Sequence, residues 1–177
     1  MPKASPVAGS LERSWPSTCA DDELRLQWEF LSFLRITVVN KIAGLGTGQA
    51  AATPLPTSPF MSLAGVVKHL TAVERFWMSI VGGGSDLPSL WEEGDVNADW
   101  HLHGSDTPAG IVAAYRAEWS RSEQALAGKA AGDRATRSVG GEEYTVRWLL
   151  GHVIQETARH VGHMDLLREM ADGARGE

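Results

Sequence analysis

Four stretches of the chain place apolar residues three and four apart, the spacing of a helix with one buried face. The first covers about 22–43 and puts Leu24, Trp28, Leu31, Leu34, Val38 and Ile42 on one stripe. Asp21 and Asp22 signal its start, and Gly44, Gly46 and Gly48 end it. The second, about 62–81, reads SLAGVVKHLTAVERFWMSIV, with Ser62 as N-cap and Gly82, Gly83 and Gly84 as its stop. Its apolar arc holds Leu63, Val66, Leu70, Val73, Phe76, Trp77 and Ile80. The third opens at Ser105, Asp106, Thr107 and Pro108 and runs to about Gly128. The fourth, about 144–171, is the longest, with Gly173 just past its end.

The connections differ in character. Residues 44–61 form a Gly/Pro/Thr loop, in which Pro54, Pro56 and Pro59 oppose regular structure. The segment 82–106 carries Trp91, Trp100, His101 and His103; it is too long for an inert turn, so a short helix or a cover over a site is expected there. A short extended piece is expected before residue 143. No alternating strand pattern of any length occurs, so the expected fold is an all-α four-helix bundle with long loops between helices 1 and 2 and between helices 2 and 3. Residues 1–20, rich in Pro, Ser, Ala and Gly, read as a flexible arm, 21–173 as the domain and 174–177 as a tail.

The last helix carries the chemistry. At about 100° per residue, with Leu149 at zero, Val153, Met164 and Leu167 form the core stripe, and Glu156 and His160 fall about 20° to either side of its centre. A carboxylate in an apolar stripe needs a proton, a cationic partner or a metal. The i, i+4 spacing lets Glu156 and His160 converge on one point, as two ligands from one helix do. His69 lies in the apolar arc of the second helix and can meet that pair across the core. Two His and one Glu form a catalytic zinc set with a position left for water or substrate, and imidazole also suits nickel and iron. A buried ion pair and a plain core histidine are the structural alternatives. His152, Arg159 and His163 flank the stripe on one side, where they can bind an anionic substrate, move a proton or steady the ligands; a polar border to the bundle is the alternative. Glu74 reads as a hydrogen-bond partner for another helix, and Asp165 with Arg168 as a surface pair.

Composition narrows the function classes. The net charge of −6 argues against a nucleic-acid binder. No apolar run is long enough to span a membrane, no secretory signal opens the chain, and the single Cys19 cannot form an internal disulfide, which together suggest a cytoplasmic protein. There is no Walker loop, dinucleotide-binding glycine pattern, GxSxG elbow or CxxC pair. Arginine outnumbers lysine 12 to 4, which is compatible with a GC-rich bacterial genome and bears on the choice of thiol below.

The segments SLAGVVKHLTAVERFW (62–77) and TVRWLLGHVIQETARHVGHMDLLREMADG (145–173), with WEEGDVNADW (91–100) between them, resemble the DinB-like superfamily, most closely its DUF664 branch. The resemblance covers roughly 22–173. Many members bind a metal with a His on the second helix and His-x3-His on the last. Here the matching positions are His69, Glu156 and His160, with Glu replacing one His, a set similar to that of mycothiol-dependent maleylpyruvate isomerase. His163 stands where many relatives have Gln. The resemblance implies a divalent metal (zinc or nickel), a homodimer, and a thiol S-transferase or isomerase that activates mycothiol or bacillithiol toward a small electrophile. A metal-activated-water hydrolase and a non-catalytic metal-binding, stress-related dimer remain alternatives at this level.

Overall fold

Each main helix begins on a side-chain cap. In the computed structural model, which describes residues 7–175, Asp22 accepts from the Arg25 amide at 2.7 Å and opens α1, Glu23–Ile42. Ser62 opens α3, Leu63–Glu74, by accepting from Gly65 N, and a short α2, Thr47–Ala51, lies between them. Thr107 caps α4, Pro108–Ala125, and Thr145 caps α5, Val146–Asp172. Gly173, at φ 78°, ends α5 in the left-handed conformation expected of its position. The fold is all-α, as the hydrophobic spacing predicts. Helix α2 is an addition: the loop expected over 44–61 contains one turn of helix, Thr47–Ala51, ahead of the three prolines.

Inter-helix contacts set the topology. Arg147 near the start of α5 chelates Glu23 at the start of α1, and Arg168 near its end donates to the Lys41 and Ala43 carbonyls at the end of α1. Helices α1 and α5 therefore run parallel. Helix α3 opposes both, since Gly82 at its far end meets Leu149 near the start of α5. Helix α4 runs alongside α3 in the same direction, with Lys68 bound to Asp106 at one end and Gly83 against Ala125 at the other. Two parallel neighbours need a crossover the length of the bundle. That is why residues 83–107 form so long a connection, and its return path carries Trp91, the 3₁₀ turn Ala98–Trp100 and Asp99 alongside α3. The reverse direction from α4 to α5 needs only a loop, closed by isolated bridges such as Arg134 with Thr145.

Beyond Glu74 the helix continues as a π-helical stretch, Arg75–Gly82. Its wider turn shifts the facing of every later residue relative to a 3.6-residue wheel. Met78, Ile80 and Val81 are buried, while Phe76 and Trp77, expected in the core arc, are only partly buried and meet Trp91, Tyr144, Trp148 and His152. The Asp165–Arg168 pair also resolves differently. Asp165 binds Lys41, and Arg168 binds Asp172 besides capping α1.

Charged residues also occupy the bundle centre. Arg35 of α1 is fully buried and holds Glu74 of α3 through two hydrogen bonds, 2.9 and 2.6 Å, while Ser122 of α4 donates to the same carboxylate at 3.2 Å. Glu74 thus serves the inter-helix role expected of it. Residues 11–17 of the arm lie along α1: the Leu11 backbone pairs with the Asn40 side chain, and Trp15 packs on Phe33 at 4.5 Å. Residues 1–6 of the arm and 176–177 of the tail fall outside the described residues. No helix among the described residues is long and apolar enough to cross a membrane.

One glycine sets the approach of the crossover to α3. A Cβ on Gly65, one turn before His69, would stand 2.9 Å from the Phe60 carbonyl oxygen and 3.2 Å from that of Trp100. Those neighbours are backbone and cannot rotate away. Gly65→Ala is expected to cost about 1–3 kcal/mol, despite the better helix propensity of alanine. Urea unfolding of the variant checks this, and an unchanged midpoint would mean that the crossover is free to shift.

Candidate metal centre

Antiparallel packing of α3 against α5 brings the donors together. His69 projects from the middle of α3, and Glu156 and His160 lie one turn apart on α5. One ligand-capable atom from each of the three lies within 4.8 Å of the other two. The two imidazoles meet edge to face with centroids 4.7 Å apart, and His160 Nε2 is 3.7 Å from Glu156 Oε2. His160 is buried, while His69 and Glu156 are half-buried and give the cluster an open side.

Both rings are braced from behind through Nδ1. The buried carboxylate of Asp99, from the crossover, lies 2.6 Å from His69 Nδ1, and the Trp91 indole donates to the same Asp99 oxygen at 2.8 Å. Trp100 stacks on the His69 ring, centroids 4.3 Å apart. On α5, His163 Nδ1 lies 3.3 Å from His160 Nδ1, a contact in which one nitrogen carries the proton and the other accepts it. A carboxylate at Nδ1 favours the tautomer with the proton there, which leaves His69 Nε2 with its lone pair. His69 Nε2 is indeed buried and has no hydrogen-bond partner among the described residues. An orphaned buried nitrogen costs about 1–3 kcal/mol, a cost that a cation bound to it would remove. Burial, then the neighbouring His69, push the His160 pKa down to about 3, so this imidazole is neutral and its lone pair is free at ordinary pH. Two imidazoles and a carboxylate fit zinc or nickel.

The three flanking residues separate into two groups. Arg159 Nη2 donates to Glu156 Oε2 at 2.7 Å and lies 3.5 Å from His160 Nε2, so Arg159 joins the donor cluster, as does His163. His152 stands a turn earlier. It stacks on Trp148 with centroids 4.9 Å apart and meets the edge of Trp77 at 4.8 Å, forming part of an aromatic wall beside the cluster. Burial lowers its pKa. The helix periodicity did not reach Asp99 or the Trp91 indole, because both sit in irregular chain. The available signal was an aspartate next to a tryptophan, in a connection longer than any turn requires.

Fold and donor set together define a DinB-like four-helix bundle with a candidate metal pocket between its antiparallel helices. A family model described as mycothiol-S-transferase matches residues 27–173, and the chain belongs to that family. Among solved structures, a conserved protein from Enterococcus faecalis is similar at 15% identity with a TM-score of 0.65, covering 88% of this chain and 100% of its own; this likeness concerns the fold alone. A comparison with curated proteins gives no match.

Proposed function

We propose that this chain is a metal-dependent thiol S-transferase or isomerase that joins a low-molecular-weight thiol, mycothiol before bacillithiol, to a small electrophile. The observation that carries the reading is the buried His69 Nε2, unpartnered among the described residues, facing a second imidazole and a carboxylate. Family membership supports the thiol-transfer part. His69, Glu156 and His160 would hold zinc or nickel, which as a Lewis acid lowers the pKa of a thiol toward neutrality and so raises its nucleophilicity.

The residues around the donors supply the rest. Arg159, with its guanidinium on the open side, binds an anionic group of the thiol or electrophile. His163 steadies His160. His152, its pKa lowered by burial in the aromatic wall, accepts or returns a proton at the substrate. Trp100 and Trp91 shield the His69 side from water. A cytoplasmic setting and a homodimer belong to the same reading.

The decisive experiment incubates metal-loaded protein with mycothiol and a panel of electrophiles and follows thiol loss. Consumption that requires both metal and thiol is expected. Turnover of an ester or amide without thiol would replace this reading with a hydrolase. A second measurement addresses the brace on His69. Asp99→Asn is expected to weaken zinc binding about 10- to 100-fold, because a bond to an amide no longer fixes the tautomer or raises the basicity of the ring. Competition with a chromophoric chelator reads the affinity directly, and an unchanged value would reduce Asp99 to a packing residue.

A further inference from the structure

We propose that Arg159 is the built-in counter-cation of the metal-free pocket, and that an entering divalent cation displaces its guanidinium from Glu156. This rests on the metal reading above. It concerns what the pocket does before loading, and what Arg159 becomes free to do afterwards.

Three observations carry it. First, Glu156 is a largely covered carboxylate, its side chain 15% exposed. Such a group needs a positive partner, and the imidazole nitrogen facing it, His160 Nε2, stands 3.7 Å away, too far for a hydrogen bond. Arg159 is the cation hydrogen-bonded to it. Second, Arg159 Nη2 sits against two of the three candidate ligands at once, 2.7 Å from Glu156 Oε2 and 3.5 Å from His160 Nε2. The oxygen it holds is also the one that faces His160. A guanidinium and a divalent cation cannot share that oxygen and that nitrogen without severe repulsion. Third, the Arg159 side chain is 54% exposed, so it can turn away into solvent without leaving a cavity.

Two consequences follow. The guanidinium keeps Glu156 and His160 oriented while no metal is present, at the cost of weaker metal binding. Once displaced, it stands at the open side of the pocket with its donors unpaired. Metal loading and the binding of an anionic group are then thermodynamically coupled, each favouring the other.

The test compares the unmodified chain with Arg159→Gln and Arg159→Lys. Zinc affinity is measured by chelator competition, and the arginine guanidinium signals of the unmodified chain are followed by nitrogen-15 NMR during zinc addition. Arg159→Gln is expected to bind zinc about tenfold more tightly, the size expected for removing one competing charge at contact distance in a partly exposed site. Arg159→Lys, a point charge without the fork, is expected to fall between. The guanidinium signal of Arg159 is expected to lose its restricted rotation as zinc fills the site. Equal or weaker zinc binding by Arg159→Gln, or a guanidinium that remains held in the zinc-loaded protein, would overturn the proposal while leaving the metal centre intact. If the unmodified chain takes up no zinc, the metal reading itself is lost, and the proposal with it.

Discussion

Replacing His160 with alanine is expected to empty the metal pocket and to abolish the stabilisation that metal gives. A ligand bound only by the folded chain stabilises it by about 3–4 kcal/mol when present at 100 to 1,000 times its dissociation constant. For a chain of this length that corresponds to a gap of roughly 6–16 °C between the melting temperatures of loaded and stripped protein. The gap is the quantity to compare, because truncating a buried imidazole also destabilises the stripped protein through lost packing. Calorimetry with and without zinc is expected to give a large gap for the unmodified chain and almost none for His160→Ala. Elemental analysis gives the stoichiometry independently. Retained metal in the variant would remove His160 from the ligand set.

The largest effect on stability away from the pocket is expected at Arg35. Its guanidinium and the Glu74 carboxylate are each 1% exposed and share two hydrogen bonds. Arg35→Met fills much of the same volume but leaves Glu74 buried with only the Ser122 hydroxyl as a described partner. Stranding one member of a buried pair costs about 3–5 kcal/mol. Urea unfolding is expected to show that loss. Combining Arg35→Met with Glu74→Leu is expected to recover much of it, since neither charge then remains in the core. A double variant as unstable as the single would mean that packing around Arg35, rather than its charge, is what matters.

How much was readable in the sequence depended on how regular each segment is. Helix α5 keeps one period from Val146 to Asp172, so Glu156 and His160 could be set on its buried stripe from spacing alone. His69 lies before the π-helical stretch, and its facing was legible for the same reason. Trp77 lies inside that stretch, where the wider turn invalidates the wheel, and the structure moves it from the core arc to the aromatic wall. Arg35 was invisible because the apolar spacing of α1 marks which face is buried and says nothing of a charge whose partner comes from another helix. Asp99 was hidden for a related reason. A residue on a crossover has no periodicity, and its place is decided by the parallel course of α3 and α4. Ligand candidates on regular helices could be named, whereas the groups that brace them could not.

The unlike braces on the two imidazoles have a further consequence. A carboxylate oxygen stands at His69 Nδ1 and a second imidazole nitrogen at His160 Nδ1, and a carboxylate acceptor enriches the opposite ring nitrogen in electron density more than an imidazole does. A cation held here would meet nitrogen donors of unequal strength, the stronger tied to the crossover and the weaker to α5. Exchange at the proposed centre would thus be biased to one side by a difference in basicity between two residues of the same type.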